Sequence, residues 1–324
     1  MIAENNSTIA WLLEDDNPPV QYRTRTELLG ETAEKAPVIS WLRDFQPKDW
    51  QETKGLWSTY WLTSVAECGL SFGDISIDAQ KAASFYDENI FDCGCGDFMR
   101  LRALLRIGLM FPDFFFDVMK DRQLPDGGFL CLHRLNKLNR TPKSCMKANM
   151  HALMFCSACR SRGIRVDFEE KLLSYFWNHN IFYRADDTDT LVLNAREGWR
   201  AIDTFYPFEV MRVGLQNLIE AFCTLGYGND ERLKRGWELL GAKKTESGRY
   251  LLDGTLSKSY LPKERCKKPG KWVTFYALLA EKKREWEKPE IYLHAFRRGG
   301  TFWRSELCSD SGAIGATESL KTPI

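Results

Sequence analysis

Apolar positions recur along the chain at spacings of three and four residues, with polar positions between them. This period is typical of amphipathic α-helices, whereas a half-buried strand alternates at every second residue. Alternating runs of Val, Ile and Thr are scarce, so the pattern predicts an all-α fold. The main predicted helices cover residues 38–45, 59–68, 97–107, 114–122, 144–160, 168–178, 206–225, 231–240 and 271–284. Residues 184–200 are predicted to form a long irregular loop.

A glycine follows the last apolar position of several predicted helices. Gly69, Gly108 and Gly226 each stand where a helix is expected to end, and glycine readily adopts the left-handed conformation that such an end requires. The unit that recurs is therefore a helix, a glycine turn, a loop that contains Asp, and a second helix. Recurring helical hairpins predict a stacked or closed helical array.

Two turns rich in glycine and aromatic residues lead into predicted helices. The first is Asp126-Gly127-Gly128-Phe129, which is followed after a polar loop by Lys143-Ser144-Cys145 and an apolar helix. The second is Gly248-Arg249-Tyr250, which is followed by the helix that starts at Lys271-Trp272-Val273-Thr274. A single Asp-Gly-Gly sequence is also an ordinary tight turn, so the evidence lies in the recurrence of the turn between paired helices.

These turns and helix starts resemble the prenyltransferase and squalene-oxidase repeat of the terpenoid-cyclase and protein-prenyltransferase superfamily. The resemblance extends over roughly residues 40–285. It implies an α/α toroid, a terpenoid-cyclase-like barrel of helical hairpins in which inner helices ring a central cavity and outer helices wrap them. Residues 1–45 would then be short helices packed on the toroid, residues 46–296 the toroid itself, and residues 297–324 a loosely ordered tail.

The resemblance also implies an aromatic wall at the inner ends of the helices. Aromatic residues make up 13% of the chain, which is more than packing alone usually requires. Their faces would hold an isoprenoid tail or stabilise a carbocation by cation–π attraction; the alternative is that the rings fill the centre as ordinary core. The candidate substrate-binding residues are Trp57, Tyr60, Trp61, Phe98, Phe205, Tyr206, Trp272 and Tyr276.

Members of this superfamily that prenylate proteins hold zinc with an Asp, a Cys two residues later and a distant His. Cys145 stands where that Cys is expected, but Lys143 replaces the carboxylate, and a Lys does not ligate zinc at neutral pH. A rebuilt zinc site would use thiols from neighbouring turns, since thiolates in a tetrahedral set suit zinc; free thiols without metal are the alternative. The candidate metal ligands are Cys93, Cys95, Cys131 and Cys145.

Cyclases of the superfamily that start by protonation use an Asp-x-Asp-Asp motif. The order in Asp186-Asp187-Thr188-Asp189 is different, and this segment lies in a polar stretch typical of a solvated loop. Asp203 is better placed, just before a predicted long helix and beside aromatic residues, and is the candidate catalytic residue, a general acid that faces the cavity. The alternative role for Asp203 is to cap that helix.

Composition narrows the possible partners. The chain has 324 residues with 45 Lys and Arg against 44 Asp and Glu, and this balance does not predict binding to nucleic acid. We find neither a signal-peptide pattern at the start nor an apolar run long enough to span a membrane. The 10 cysteines form no dense disulfide framework, which favours a reduced, cytoplasmic protein.

Two functions remain open from the sequence. The first is an enzyme of the terpene cyclase or prenyltransferase type, which would act on an isoprenoid or similar apolar substrate in an aromatic-lined cavity. The second is a non-catalytic toroid that binds a peptide, protein or lipid and is stabilised by zinc if the cysteines hold metal. The missing protonation motif and Lys143 favour the second function, whereas the aromatic residues favour the first.

Overall fold

Helices make up almost all of the regular structure in the computed structural model of the protein. It describes residues 6–48, 56–78, 82, 91–109, 114–130, 144–185, 187–192, 200–209, 212–254 and 259–285, and these belong to the compact unit Met1–Pro289. The predominance of helices confirms the all-α prediction for the described residues. The predicted tail, residues 297–324, lies outside the described residues, and the boundary after residue 45 stays a prediction.

The helices follow one another in the order that the apolar pattern predicts. They are α1 Asn6–Leu12, α2 Pro18–Arg23, a π-helical turn Thr24–Leu29, α3 Ala36–Arg43, α4 Leu56–Glu67, α5 Cys95–Arg106, α6 Phe114–Arg122, α7 Met146–Ser161, α8 Glu169–Asn178, α9 Leu215–Thr224, a 3₁₀ turn Glu231–Leu233, α10 Lys234–Gly241 and α11 Lys271–Lys283. Within the described ranges, each helix is too short or too polar to span a bilayer.

The chain differs from the predicted pattern in two places. The segment expected to be an irregular loop contains the short antiparallel strands β1 Tyr183–Arg184 and β2 Asp187–Leu191. The helix expected from residue 206 begins only at Leu215, and the chain just before residue 206 pairs with a distant loop. Thr204 carries this pairing: its hydroxyl donates to the carbonyl of Leu251 and its N–H donates to Asp253.

Five helices, α4, α5, α7, α9 and α11, pack side by side in sequence order. Their burial sets them apart from the helices between them, because α9 is buried at every position whereas α10 buries only Gly236 and Leu240. A helix that is buried all round belongs to the interior, and one with a single buried stripe covers it. Accordingly, α8 packs on α7 and α10 packs on α9, which gives an inner and an outer layer.

Ion pairs show that α4 points the same way as α5, and that α9 points the same way as α11. Glu67, the last residue of α4, contacts Arg102 and Arg106 in the final turns of α5. Lys283, the last residue of α11, contacts Glu220 in α9. The C-terminal ends of these helices are therefore neighbours, and the closure of the row into a toroid stays a prediction.

The two glycine-aromatic turns enter their helices through the same hydrogen bonds. The N–H of Phe129 donates to Asn149 in α7 over 2.7 Å, and its carbonyl accepts from Cys145, the N-cap residue of that helix. Tyr250 is held in the same way: its N–H donates to Thr274 in α11 over 2.9 Å, and its carbonyl accepts from the N-cap residue of α11. Asn149 and Thr274 both lie four residues after the N-cap, so the sequence recurrence corresponds to a structural one.

Gly127 has a conformational and a steric reason to be glycine. Its φ is +89°, and a Cβ atom built on it would overlap the backbone carbonyl of Lys171 in α8. Gly163 also has a positive φ, +71°, but no atom lies within 4 Å of its would-be Cβ. The turn at Gly127 can therefore pack closely against α8 only because glycine has no side chain.

We expect Gly127→Ala to destabilise the protein far more than Gly163→Ala does. The control variant has only the left-handed backbone cost, about 1–2 kcal/mol, whereas Gly127→Ala must also displace backbone, for about 1–3 kcal/mol more. The free energy of unfolding from urea titrations checks this difference. Equal losses in the two variants would contradict the close packing of the turn on α8.

Candidate functional site

The final turns of the five inner helices surround a cavity of about 290 Å³. Its lining is dominated by charged and small polar groups, unlike the predicted wall of aromatic rings. The lining residues are Arg23, Glu27, Ala66, Gly69, Arg102, Arg106, Met154, Ser157, Ala158, Ser161, Arg162, Glu220, Ala221, Tyr276, Leu279 and Lys283.

Glu67 lies beside this cavity, fully buried, and accepts four hydrogen bonds. Its Oε1 accepts from Arg102 over 2.8 Å and from Arg106, and its Oε2 accepts from Arg23 over 3.3 Å and from the hydroxyl of Tyr276. Burial alone would raise the pKa of Glu67, but the guanidinium groups lower it below its usual value. Glu67 is therefore held as a carboxylate.

Arg23 joins the N-terminal segment to this carboxylate. It comes from the last position of α2, forms a two-pronged pair with Glu27 over 2.5 and 2.9 Å, and donates to the hydroxyl of Tyr276 over 2.9 Å. Its guanidinium also lies 4.5 Å from the ring centroid of Phe275 and 4.9 Å from that of Tyr276, within the range of cation–π attraction. The segment is thus tied to α4 and α11 at once.

A second ion pair also lines the cavity. Lys283 donates to Glu220 over 2.5 Å and to the hydroxyl of Thr224 over 3.1 Å. Burial would raise the pKa of Glu220, but Lys283 and Thr224 lower it. The cavity is therefore lined by ionised groups from more than one helix, a surface suited to a polar ligand.

Only one predicted aromatic residue, Tyr276, lines the described cavity. The ring of Phe208 packs between two of the predicted rings, with its centroid 5.4 Å from that of Tyr206 and 5.6 Å from that of Trp272. The ring centroid of Phe205 lies 6.1 Å from that of Tyr206. These rings are almost fully buried. They lie near the N-terminal end of α11, and their predicted role in substrate binding stays a prediction.

The remaining predicted rings pack at other places. Trp61 meets Tyr260 edge-on at 5.7 Å, and Phe98 meets Phe129 edge-on at 5.0 Å. Tyr60 donates its hydroxyl to Glu209 over 3.1 Å. Trp57 belongs to α4, but its side chain lies outside the described residues, and the predicted aromatic set as a whole is not brought together on one described surface.

Three of the four predicted metal ligands, Cys93, Cys95 and Cys145, are buried cysteines near the N-terminal ends of α5 and α7. Burial raises the pKa of Cys93, whereas zinc requires the thiolate. Among the described residues there is no group of three or more His, Cys, Asp or Glu that could hold a metal ion. Cys131 lies outside the described residues, so the zinc site stays a prediction.

Asp203, the predicted general acid, is paired with Arg200. Its Oδ1 accepts two guanidinium hydrogen bonds of 3.0 and 2.7 Å, and its Oδ2 accepts from the backbone N–H of Arg200 over 2.8 Å. Its backbone carbonyl accepts from Leu215, the first residue of α9. These contacts are typical of a structural ion pair beside a helix start, and the catalytic role stays a prediction.

Glu264 is a carboxyl that the sequence pattern does not single out. Burial raises its pKa to about 7, although the backbone N–H groups of Lys271 and Trp272 oppose this shift. Its Oε1 accepts from Lys271 over 2.7 Å, and within the described chain its buried Oε2 has no hydrogen-bond partner. The hydroxyl of Tyr206 donates to the Glu264 carbonyl over 2.9 Å, so a carboxyl that titrates near neutrality adjoins the buried aromatic cluster.

The sequence does carry a signal for the charged cavity, in retrospect. Glu67 is the last residue of α4, which has no other charged residue. Arg100, Arg102 and Arg106 lie between the apolar positions of α5, which is rich in Leu. Long charged residues are almost never fully buried unless paired, so such positions mark a buried ion cluster once the helices are known to be interior.

No family model, curated protein or solved structure matches the chain, and the resemblance to the prenyltransferase repeat stays a prediction.

We expect Arg23→Met to lower the free energy of unfolding by about 3–5 kcal/mol, since it removes one partner from a buried ion pair. Arg25→Ala is the matched control, because Arg25 lies two positions away and forms an exposed pair with Glu31 over 3.0 Å. Exposed pairs contribute about 0–1 kcal/mol. Urea titrations followed by circular dichroism measure both variants, and a similar small loss in each would show that the buried cluster contributes little.

We expect Glu264→Gln to change how stability depends on pH. The carboxyl holds its proton up to about pH 7 in the folded protein but loses it near pH ~4.3 in the unfolded chain. A raised folded-state pKa adds stability that is complete below the unfolded value and is lost as the pH rises through the folded value. Relative to the variant, the wild-type protein should therefore lose about 2 kcal/mol of unfolding free energy between roughly pH 5 and pH 8.

The measurement for Glu264 is a series of urea titrations across this pH range. Glu246→Gln serves as the control, since Glu246 is an exposed carboxylate. Parallel stability curves for Glu264→Gln and the wild-type protein would contradict the raised pKa of Glu264.

Proposed function

We propose that the protein is an α/α toroid that binds a small polar molecule in the cavity at the C-terminal ends of its inner helices. The observation that carries the proposal is the cavity itself, about 290 Å³ lined by ionised side chains from the inner helices and the N-terminal segment. This volume is close to the lower end of known small-molecule sites, at roughly 300 Å³.

The toroid part of the proposal is supported by contacts between the first and the last inner helix. A closed ring requires α11 to meet α4, and the Tyr276 hydroxyl donates to Glu67. Arg23 bridges the same two helices, with bonds to Glu67 and Tyr276. The five inner helices would then form a ring whose last contact is polar.

The binding part of the proposal is supported by the free energy that is lost when charged groups are buried around the cavity. Taking charged groups out of water costs several kcal/mol for each ion, and a buried ion pair is often no more stabilising than apolar residues of similar volume. A protein selected for stability alone would fill this space with apolar side chains. An open space between charged groups is instead typical of a site for a polar ligand.

A second candidate is an enzyme of the terpene cyclase type that acts on an apolar substrate. Glu264 favours it, because a buried carboxyl whose pKa is raised to about 7 is suited to donate a proton, and the hydroxyl of the buried Tyr206 donates to the backbone carbonyl of Glu264. Turnover of an isoprenoid substrate that is lost in Glu264→Gln and kept in Asp203→Asn would support it with Glu264 as the acid.

Thermal unfolding in the presence of small polar probes tests the first proposal. The probes are inorganic phosphate, citrate, glucose and putrescine at about 10 mM and constant ionic strength, since a ligand at about 100 times its Kd stabilises the fold by about 2.7 kcal/mol. At least one probe should raise Tm by several degrees. A set of four probes without any effect would overturn the proposal.

Ser157→Leu localises the effect, because Ser157 lines the cavity and carries no charge. The larger side chain should fill the space and abolish the increase in Tm. Ser174→Leu is the matched control, because Ser174 is a helical serine on the exposed side of α8. An equal increase in Tm in Ser157→Leu would place the binding elsewhere.

A further inference from the structure

We propose that the ligand of this cavity is a small organic molecule with a phosphate group, anchored by Arg102 and Arg106. The inference rests on the proposed binding function and assigns the chemical class of its ligand. Five observations carry it: the balance of charge, the unused donors, the engaged carboxylates, the capped helix ends, and the size and geometry of the cavity.

The charge around the cavity is positive. Four cationic side chains, Arg23, Arg102, Arg106 and Lys283, face or pair with three carboxylates, Glu27, Glu67 and Glu220. Arg162 adds a further cation at the lining and has no acidic partner among the described residues. An anion with one or two charges would bring the cavity close to neutrality.

Arg102 and Arg106 of α5 each have N–H donors that make no hydrogen bond with the described residues. Arg102 uses only Nη2 and Arg106 only Nη1 in the hydrogen bonds that the described residues make, in both cases to Glu67. A guanidinium group has five N–H donors, so each side chain retains most of its capacity. Among the described residues, Arg162 donates only to the backbone carbonyl of Arg106, over 3.5 Å.

The carboxylates around the cavity are already engaged. Both oxygens of Glu67 accept hydrogen bonds, and both oxygens of Glu27 accept from Arg23. Glu220 accepts from Lys283 and Thr224, both through Oε1. Among these described carboxylates, only Oε2 of Glu220 would meet a cationic ligand without such a partner, whereas an anionic ligand can use several guanidinium donors.

The helix ends do not reverse this preference. The C-terminal carbonyls of a helix carry partial negative charge, which would favour a cation. Here the chain turns back after α4, α5, α7 and α9, and backbone N–H groups that follow the turns donate to those carbonyls. Gly69, Gly108, Gly163 and Gly226 make these turns with positive φ, as in the Schellman cap, so the side chains determine the charge preference.

Size and geometry favour a phosphate with an organic part. A guanidinium pairs with two phosphate oxygens at once, and Arg102 and Arg106 lie one turn apart on α5. The cavity of about 290 Å³ is equivalent to roughly ten water molecules at ~30 Å³ each, more than inorganic phosphate fills. Met154 and Leu279 supply apolar lining beside the charged groups, which suits a short carbon chain.

Isothermal titration calorimetry with glycerol 3-phosphate, inorganic phosphate, citrate, glucose and putrescine tests the assignment. Glycerol 3-phosphate should bind more tightly than inorganic phosphate. Arg106→Gln should weaken it about tenfold or more, because it removes a charged donor, and Arg162→Ala about threefold. Arg165→Ala is the matched control with no expected change, since Arg165 is an exposed arginine that pairs with Glu170 over 2.7 Å.

Each other outcome separates the inference from the function on which it rests. Tighter binding of citrate, glucose or putrescine than of glycerol 3-phosphate, lost in Ser157→Leu, would overturn the phosphate assignment and leave the binding function standing. No binding of any probe would overturn both. Should Arg106→Gln fail to fold, Arg162→Ala decides alone, and unchanged affinity for glycerol 3-phosphate in that variant would overturn the inference.

Discussion

The buried carboxylate of Glu67 is the interaction on which the arrangement of the helices depends. It accepts hydrogen bonds from Arg23 in the N-terminal segment, Arg102 and Arg106 in α5, and Tyr276 in α11. Because an unpaired charge in this position would cost several kcal/mol, the carboxylate requires all of these elements to meet at one point. The polar cluster therefore specifies a register for the interior helices, which apolar packing alone would leave less defined.

The two ends of the inner helices have different characters. Near their N-terminal ends, aromatic rings and thiols pack tightly, and the glycine-aromatic turns feed into α7 and α11 through matching hydrogen bonds. At their C-terminal ends, glycine turns reverse the chain, and charged side chains leave a cavity between them. The C-terminal ends therefore provide more polar contacts for a ligand. Glu264, whose pKa is raised to about 7, lies near the opposite end of α11.

An architecture does not by itself determine a chemistry, since function lies in the site. The predicted resemblance to terpenoid cyclases directs attention to aromatic rings and to an acid, yet the rings in the described residues mostly contact one another. The cavity that the described residues form is charged, and its arginines retain unused donors. Geometry therefore supports binding of a small polar molecule more directly than it supports catalysis on an apolar substrate.

The sequence by itself determined the all-α composition, most helix boundaries and the positions of the glycine turns, because these depend on local spacing and on backbone preferences of single residues. It did not determine that the helix expected from residue 206 begins only at Leu215, after a segment in which Thr204 bonds to Leu251 and Asp253. Nor did it determine the charged cavity. Glu67 and Tyr276 are separated by 209 positions, and which charged residues meet depends on the packing of distant helices. Only the tertiary structure decided that Arg23, Glu67, Arg102 and Arg106 form one cluster, because burial and pairing are properties of the assembled helices and not of any one of them.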